Sequence, residues 1–367
     1  MSEINPSVDV IVVGAGLAGL TCARSLQATG YTVTVLEKSR GLGGRLATRR
    51  LHDTWIDHGT NSLEHQGEAT RSLLATLQTE AVIHPWVGHI GTLSASNQVG
   101  AEIASGVASG DNPPQRYYAP GGITAIAKYL GRELNIQRQH RVVHLKPLSD
   151  GGWELRAEVA TTGATHTVSA RTVVLAIPAP QALDLVQQLL TETPNAPLQP
   201  AALTMLQSVQ FDPGLSVMAG YESAGFEWVN AAFHGAIALR GTDHPTIAWL
   251  GQTHTKAQVA YPTLLLQTTA QFTQDWLDQP DVTPAIASSL ASAAIALGDW
   301  ITQPSWTQIH RWRYARVKTS LPQSYLELGS TPATLLACGD WCGGNQGYTT
   351  HIEAALRSGQ AVATALS

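Results

Sequence analysis

A glycine-rich turn between a short apolar strand and a helix is the feature that most constrains the fold of this chain. Residues Val10 to Val13 are all apolar and β-branched, which is typical of a parallel strand that is buried on both faces. This strand leads directly into Gly14-Ala15-Gly16-Leu17-Ala18-Gly19, which has the pattern G-x-G-x-x-G. The glycines permit a tight turn, a close approach of backbone to a pyrophosphate and close packing of the next helix. The pattern therefore predicts a dinucleotide site at these residues, with the first amides of the helix directed at the phosphates.

An acidic residue ends the second predicted strand. We predict a helix from Leu17 to about Thr29 and a strand from Tyr31 to Leu36, which is followed by Glu37. A carboxylate at this place accepts hydrogen bonds from the adenosine ribose and repels a 2′-phosphate. The nucleotide is therefore expected to be FAD-like or NAD-like rather than NADP-like.

The loop after Glu37 distinguishes between these two nucleotides. It reads Arg40-Gly41-Leu42-Gly43-Gly44-Arg45, so it combines little side-chain bulk with a planar cation that suits a pyrophosphate. The spacing E-x-x-x-x-x-G-G-R resembles the second fingerprint of the FAD-dependent amine oxidase superfamily, and EKSRGLGGRLATRR most resembles its renalase branch. The resemblance implies a non-covalently bound FAD that contacts Glu37, Lys38, Gly44 and Arg45.

The composition fits a soluble enzyme of two domains. The chain has 367 residues, of which 44% are hydrophobic and 13% charged, and its net charge of −5 gives no reason to expect nucleic acid binding. The 3 cysteines are an odd number, which argues against a disulfide framework and favours a reducing compartment. No apolar run approaches the length of a membrane span, and the first residues lack the basic start of a secretory signal. We therefore expect a cytoplasmic protein, and its oligomeric state is left open.

The order of the predicted elements indicates an α/β chain. The resemblance implies a two-domain FAD-binding fold: a Rossmann-type cofactor domain like that of p-hydroxybenzoate hydroxylase, and an inserted substrate domain of an antiparallel sheet plus helices. We assign residues 1–82, 116–190 and 305–367 to the FAD-binding domain, and residues 83–115 and 191–304 to the substrate domain. In the latter, period-two patterns between Leu203 and Leu250 predict strands, and Pro262 to Trp276 and Thr283 to Trp300 are predicted to be helices.

Further FAD contacts are implied by the resemblance in other segments. Asp57-His58-Gly59 is similar to the family's D-x-G turn beside the flavin, although Thr60-Asn61-Ser62 replaces its usual Ala-Gln-aromatic continuation. An apolar strand near the end of the chain leads into a Gly-Asp pair whose carboxylate is expected at the ribityl or pyrophosphate region, and a helix beyond it is expected to face the pyrimidine carbonyl. The implied contacts are His58, Gly59, Thr60, Asn61, Val143, Ala176, Gly339, Asp340, His351 and Ile352.

Two aromatic residues are candidates for the substrate cavity. The segment Ser305 to Ala315 alternates large side chains and resembles the renalase strand that runs beside the flavin. Trp312 and Tyr314 could therefore contact the substrate, or could form a cross-strand aromatic ladder that only packs. Cys342 raises the alternative of a covalent flavin link, but its surrounding sequence does not match that of the monoamine oxidases, and we expect an ordinary thiol. No metal site and no catalytic acid or base is predicted.

Three functions follow from the sequence. The first is a renalase-like oxidase that takes a hydride from a misreduced NAD(P)H isomer and passes the electrons to molecular oxygen, which gives hydrogen peroxide. The second is an amine oxidase or desaturase that acts on a hydrophobic small-molecule substrate. The third is a flavin-binding protein without turnover. The order of the motifs and the strand that contains Trp312 favour the first.

Overall fold

The structure is a computed structural model that describes residues 8–100, 115–149, 151–222, 225–256, 261–330, 333–344 and 351–367. Within these residues the strands are β1 (Val8–Val13), β2 (Val33–Glu37), β3 (Thr48–Leu51), β4 (Thr54–Asp57), β5 (Leu63–Glu64), β6 (His84–Pro85), β7 (Ile90–Ser94), β8 (Val99–Gly100), β9 (Arg116–Tyr118), β10 (Asn135–Arg138), β11 (His140–Pro147), β12 (Trp153–Val159), β13 (Thr165–Leu175), β14 (Gln210–Gly220), β15 (Ala238–Thr242), β16 (Ile247–Gln252), β17 (Thr263–Thr268), β18 (Trp306–Thr319), β19 (Leu326–Gly329) and β20 (Thr334–Ala337). The α-helices are α1 (Leu17–Ala28), α2 (Glu68–Thr79), α3 (Thr124–Leu130), α4 (Ala179–Glu192), α5 (Pro200–Ser208), α6 (Gly225–Ala232), α7 (Ala270–Gln274), α8 (Thr283–Leu297) and α9 (His351–Leu366), and short 3₁₀ turns cover Thr253–Lys256 and Asp299–Thr302.

The first sheet has eight strands in the order β10-β2-β1-β13-β12-β11, with β20 on β13 and β19 on β20. Strands β10, β2, β1, β13 and β20 are parallel to one another, whereas β11, β12 and the first half of β13 form an antiparallel meander. The long β13 joins both parts, because Ala170 pairs with Val8 on one side and with Trp153 on the other. The carboxyl ends of the parallel strands meet at one edge, which is where open α/β sheets bind ligands.

The predicted burial of β1 on both faces is confirmed. Val10 and Val12 belong to a core that also contains α1, α3 and α9, and Ile11 and Val13 belong to a second core that contains α4 and α5. All four side chains are buried, because helices cover both faces of the parallel sheet. The predicted two-domain α/β fold with a Rossmann-like part is therefore correct.

The second sheet has seven strands in the order β18-β14-β17-β16-β15-β7-β8 and is antiparallel except for the pair β15 and β7. Its residues alternate between two faces, as the sequence periodicity predicts. One face is an apolar row of Val217, Leu266, Leu250 and Leu239 that packs with α6 and α8. On the opposite face a row of mostly polar residues lines a large cavity, while Met218 and Leu265 pack against Ile56.

Helix α9, at the end of the sequence, packs against α1 and caps α2 in the cofactor part. A side chain at Gly359 would come within 2.4 Å of the Ala18 carbonyl oxygen, so α9 and α1 can approach this closely only with glycine at that position. The buried carboxylate of Glu353 accepts hydrogen bonds from the amides of Ala69 (3.1 Å) and Thr70 (2.7 Å). These amides belong to the first turn of α2 and would otherwise lack a partner, so a residue of α9 caps α2.

The helix predicted at Pro262 to Trp276 is wrong over most of its length. Residues Thr263–Thr268 form strand β17, and only Ala270–Gln274 are α-helical. Leu264, Leu265 and Leu266 are consecutive and apolar, and both faces of β17 are buried, so the run lacks the alternation that marks a half-buried strand. The predicted strand region from Leu203 is also interrupted, because Pro200–Ser208 and Gly225–Ala232 are helices.

Two predicted domain boundaries do not follow the strand pairing. Helix α5 packs with α4 in the core of the first sheet, although residues from 191 onward were assigned to the substrate domain. Strand β18 pairs with β14 from Trp306 to Thr319, although residues from 305 onward were assigned to the cofactor domain. We propose that the substrate domain begins near residue 210 and includes β18. The assignment of residues 101–114 lies outside the described residues.

The remaining general expectations concern cysteines and membranes. All three cysteines are free and buried, in agreement with the prediction of no disulfide framework. Among the described residues, no helix combines the length and the apolar character that a membrane crossing requires.

Candidate active site

One cavity of ≈2110 Å³ extends from the carboxyl ends of the parallel strands to the polar face of the second sheet. Ordinary ligand pockets measure about 300–1,000 Å³, so this space is large enough for more than one small molecule. The predicted site residues that line it are Gly14, Gly16, Leu17, Ala18, Glu37, Lys38, Gly44, Arg45, His58, Gly59, Thr60, Asn61, Val143, Ala176, Trp312, Tyr314, Gly339, Asp340, His351 and Ile352. Ala15 and Gly19 do not line it, but they position residues that do.

The two glycine loops form a cradle of bare backbone at one end of the cavity. The amide of Gly43 donates to the carbonyl oxygen of Ala15 (2.8 Å), which ties the second loop to the first. A side chain at Gly16 would meet no atom within 4 Å, so this backbone faces open space. A side chain at Gly19 would come within 2.1 Å of the Gly14 carbonyl oxygen, so this glycine is required for close packing of α1. Exposed backbone beside a helix N-terminus fits a pyrophosphate.

Glu37 is fixed by the first loop. One carboxylate oxygen accepts a hydrogen bond from the amide of Ala15 (2.8 Å), and the other accepts one from the amide of Ser39 (2.7 Å). The residue is 7% exposed, and what remains exposed lines the cavity. Ala15 therefore contributes to the site by orienting Glu37. The carboxylate keeps unused lone pairs that suit the hydroxyl groups of a ribose.

Arg45 and Asp340 form a bidentate ion pair in the middle of the cavity wall. The two guanidinium nitrogens of Arg45 donate to the two carboxylate oxygens of Asp340, at 2.8 and 2.6 Å. Asp340 is 3% exposed at its side chain, and Nδ1 of His351 lies 3.4 Å from it. The resemblance implied that Arg45 and Asp340 each contact FAD. The structure adds that the two side chains bind each other, so each one orients the other.

The turn that contains His58 is held by residues from three separate segments of the chain. The carboxylate of Asp57 accepts hydrogen bonds from Nζ of Lys256 (3.0 Å), Oγ1 of Thr48 (2.8 Å) and the amide of Ile123 (2.8 Å). Lys256 also donates to the carbonyl oxygen of Asn61. The side chains of Lys256 and Asp57 are 1% and 0% exposed, so this is a fully buried ion pair. It fixes both ends of the turn from Asp57 to Asn61.

Strands β14, β17 and β18 hold the same turn through its carbonyl groups. The His58 carbonyl oxygen accepts from Oγ of Ser216 (2.7 Å) and from the indole nitrogen of Trp312 (3.1 Å). The side-chain amide of Gln267 donates to the Gly59 carbonyl oxygen (2.8 Å) and accepts from Asn61 (3.2 Å). The sequence did not reveal Ser216, Gln267 or Lys256, because none of them stands in a recognisable motif. Gln267 was also hidden by the incorrect helix over β17.

An aromatic cluster forms the cavity wall beside this turn. The rings of His58 and Trp312 stack with centroids 5.4 Å apart, and His310 meets Trp312 edge-on at 4.3 Å. Burial, with the nearby His310 and Arg49, lowers the pKa of His58 from 6.5 to about 3. Burial and Arg49 also lower the pKa of His310. The wall is therefore aromatic and uncharged at neutral pH.

The other predicted residues have distinct positions. Val143 occupies a β-bulge between Val142 and His144, and this irregularity lets it line the cavity. The ring of Tyr314 lines the cavity and packs edge-on against Phe211 with centroids 5.5 Å apart.

Cys342 is fully buried and does not line the cavity, and burial raises the pKa of its thiol well above the ordinary value. A buried thiol of this kind does not suit a covalent flavin link. The loop from 345 to 350 lies outside the described residues.

Comparisons with known families agree with this architecture. Residues 12–77 match the NAD(P)-binding Rossmann-like domain, and residues 89–367 match the flavin containing amine oxidoreductase family. The second match covers most of the chain. The protein therefore belongs to the flavin-containing amine oxidoreductase family, whose cofactor is FAD. The glycine cradle, Glu37 and the Arg45–Asp340 pair fit that cofactor.

Individual relatives are similar over short stretches. An L-amino-acid oxidase of Siganus canaliculatus is 48% identical over 50 residues, which are 14% of this chain and 10% of the relative. Lysine-specific histone demethylase 1 homolog 3 of Arabidopsis thaliana is 54% identical over 48 residues, 13% of this chain and 3% of the relative. The matched part is thus a small fraction of each relative.

Solved structures are similar over the whole chain. A putrescine oxidase variant has a TM-score of 0.70 at 15% identity and covers 98% of both chains. Cyclohexylamine oxidase from Brevibacterium oxydans has a TM-score of 0.66 at 17% identity and covers 98% of this chain and 99% of that chain. At these identities the similarity shows the shared fold.

We predict that Arg45→Ala lowers both stability and flavin content. The change removes the bidentate partner of the buried Asp340 carboxylate and leaves it with Nδ1 of His351 at 3.4 Å, which costs on the order of 1.5–3 kcal/mol and weakens FAD binding about tenfold or more. Arg45→Lys is the matched control, because it keeps the charge and loses the bidentate geometry, and should give an intermediate result. Visible flavin absorbance per protein and thermal unfolding measure the two effects. Full flavin content with an unchanged unfolding temperature in Arg45→Ala would contradict the role of this pair.

We predict that FAD leaves the protein when the chain is denatured. Because Cys342 is buried away from the cavity with a raised thiol pKa, no covalent bond to flavin is expected. Acid precipitation followed by chromatography of the supernatant should recover FAD. Flavin that stays with the precipitate would show a covalent link, and FMN in the supernatant would contradict the dinucleotide site.

We predict that His58 makes stability depend on pH in the acid range. Its folded-state pKa of about 3 lies below the ordinary 6.5, so the unfolded chain binds the extra proton between these values. Stability should therefore fall as pH decreases from 6.5 to 3. The slope from this one group is at most about 1.4 kcal/mol per pH unit. The free energy of unfolding of the protein and of His58→Gln should be measured with denaturant at a series of pH values. Plotted against pH, the two curves should have different slopes below pH 6.5 and run parallel above it. Parallel profiles throughout would show that His58 is not held neutral.

Proposed function

We propose that this protein is an FAD-dependent oxidase that takes a hydride from a dihydronicotinamide nucleotide, a misreduced NAD(P)H isomer, and delivers its two electrons to molecular oxygen. With one further proton from water the products are the oxidised nucleotide and hydrogen peroxide. The observation that carries the proposal is the uncharged aromatic wall of His58, His310 and Trp312, in which Trp312 is stacked on His58. Bound FAD would supply the acceptor for the hydride.

The wall suits a flat ring that reacts without proton transfer. Trp312 is fixed by hydrogen bonds from its indole nitrogen to the His58 carbonyl oxygen and to Oγ of Ser216, both 3.1 Å. A fixed indole face can hold a planar dihydropyridine in one orientation, which gives the proximity advantage that hydride transfer needs. Aromatic side chains also exclude water from the reacting ring. These residues position the substrate, and none of them has to act as a base.

The charge of the cavity supports an anionic substrate. Its lysines and arginines are Lys38, Arg40, Arg45, Arg49, Arg50, Lys128, Arg138, Arg141, Arg240, Arg311, Arg313 and Arg316. Its carboxylates are fewer: Glu37, Asp184, Asp212, Asp243 and Asp340. A surplus of positive charge attracts a phosphorylated nucleotide and repels a protonated amine. Part of this surplus lies beside the cofactor loops, at Lys38, Arg40 and Arg45, and suits the pyrophosphate of FAD itself. The remainder, which includes Arg49 near His58 and Arg240 on β15, favours a nucleotide over the amine of the alternative function.

Amine oxidation also lacks a suitable base in the described wall. An amine that is protonated at neutral pH has to lose a proton before it can give up a hydride, and an efficient base has a pKa near the working pH. The pKa of His58 is lowered to about 3, so it is a poor proton acceptor. Lys256 is buried and paired with Asp57. The solved amine oxidases of similar fold leave the substrate of this chain open, and amines therefore belong in the test.

We predict that the 2- and 6-dihydro isomers of NAD(P)H reduce the bound flavin faster than ordinary NADH or any primary amine. Anaerobic rapid mixing of the purified protein with each compound, followed by the loss of flavin absorbance, makes the comparison. Admission of oxygen should restore the absorbance and release hydrogen peroxide. Fast reduction by an amine, with no response to either isomer, would replace the proposal by amine oxidation. No reduction by any compound would favour a desaturase or a flavoprotein without turnover.

A pair of tryptophan variants tests the wall directly. Trp312→Phe loses both hydrogen bonds that fix the indole and should slow flavin reduction about tenfold. Trp306→Phe is the matched control, because Trp306 lies on the same strand, stacks on His52 with centroids 4.7 Å apart and does not line the cavity. Equal rates in the two variants would contradict the assigned position of Trp312.

A further inference from the structure

A continuous row of side chains crosses the cavity face of the second sheet. Ser216 of β14 pairs with His310 of β18 and with Gln267 of β17, and Gln267 pairs with Trp249 of β16. Trp249 pairs in turn with Arg240 of β15. Directly paired residues point to the same face of a sheet, and all five line the cavity. The row therefore leads from the aromatic wall to an arginine.

The length of the row exceeds that of a nicotinamide ring. His310 and Arg240 are separated by four strand spacings of about 4.8 Å, which gives roughly 19 Å between their backbones. The near end contains the groups that hold the turn of His58. At the far end Trp249 packs on a core cluster, whereas the Arg240 side chain has no hydrogen bond or ion pair among the described residues, although it is equally part of the cavity. A substrate that fills the row has a reactive end at His310 and a remote end at Arg240.

Trp249 offers a flat surface just before the arginine. A side chain at Gly251 would come within 2.7 Å of the indole nitrogen of Trp249, so the ring extends along the strand over this glycine. Trp249 also packs against the cluster of Trp86, Ile90 and Ile237, and this contact helps to fix the ring. A fixed indole in a cavity suits stacking by an aromatic base.

Arg240 is a cation without an ion-pair partner in the described residues. No carboxylate of these residues lies within 4.0 Å of its guanidinium, although Asp243 lines the same cavity. Arg316 is a different case, because it lies beside the cofactor end: Arg45 donates to the carbonyl oxygen of the preceding Ala315, and burial, with Arg45 and Arg316, lowers the pKa of His351. Arg240 is therefore the cation at the far end of the row that is left for an anionic ligand.

We propose that Trp249 and Arg240 form a distal subsite that binds the base and a phosphate group of a nucleotide, whose reactive ring lies at Trp312. This proposal rests on the proposed function for the identity of the reactive ring. The chemistry of the subsite by itself selects an aromatic base with attached phosphates. Arginine suits this role because its planar fork binds phosphate oxygens in pairs.

The binding test uses ADP, which has the base and the phosphates but no hydride to give. Titration of the fully FAD-loaded protein by calorimetry should show binding that weakens about tenfold in Arg240→Gln and severalfold in Trp249→Ala. Arg171→Gln is the matched control, because Arg171 is exposed, carries the same charge and does not line the cavity. Its affinity for ADP should be unchanged. Gly251→Ala, which displaces the ring and leaves its chemistry intact, should weaken ADP as Trp249→Ala does.

The kinetic test compares a dihydro isomer of NAD with the corresponding riboside, which lacks phosphate. The preference of the protein for the dinucleotide is the ratio of the two flavin-reduction efficiencies, that of the dinucleotide over that of the riboside. In Arg240→Gln this ratio should decrease by the same factor as the affinity for ADP. ADP binding that is absent, or equal in the unmodified protein and Arg240→Gln, would overturn the subsite. Weaker ADP binding in Arg240→Gln, with no flavin reduction by any dihydronicotinamide, would support the subsite and refute the proposed function instead.

Discussion

The buried ion pair of Asp57 and Lys256 is the contact on which the geometry of the site depends. Two charges that are 0% and 1% exposed lose most of their hydration, and their attraction compensates for this only when further hydrogen bonds complete the group. Here they do, because Asp57 accepts from Thr48 and the amide of Ile123, and Lys256 also donates to Asn61. Loss of one partner would leave a buried charge uncompensated. The pair joins the turn that carries His58 to the 3₁₀ turn Thr253–Lys256, which follows β16 of the second sheet.

The strict alternation of strand residues explains how one sheet can be both core and cavity wall. Val217, Leu266 and Leu250 lie in register on the helix-covered face, and their sequence neighbours Ser216, Gln267 and Trp249 lie in register on the cavity face. A register shift of one residue would exchange the two sets and bury polar groups under helices. The apolar face thus fixes the positions of the polar residues, so the stability of the core and the geometry of the site are coupled.

The cofactor end of the site could be predicted from the sequence because its determinants are local. A glycine pattern, Glu37 and the paired glycines before Arg45 are each close in sequence to the backbone they shape, so spacing alone indicates the geometry. The contacts of Gln267 with Gly59 and of Trp312 with His58 join residues far apart in sequence, and no local pattern encodes such pairing. The same reason explains why the sequence did not indicate the pairing of β18 with β14. The two strands are distant from each other in the chain.

The two ends of the cavity differ in whether their arginines have ion-pair partners. At the cofactor end Arg45 is neutralised by Asp340 at hydrogen-bond distance, and the fold therefore does not require a ligand to hold it. At the second sheet Arg240 faces the cavity without an ion pair in the described residues, and Arg49 lies near the neutral His58 and His310. An unpaired cation in a partly enclosed cavity raises the free energy of the folded state, and an anionic ligand lowers it again. Arg313 and Arg45, in contrast, have ion-pair partners in Asp278 and Asp340. Arg240 is thus the part of this cavity whose arrangement is explained by a ligand rather than by the fold.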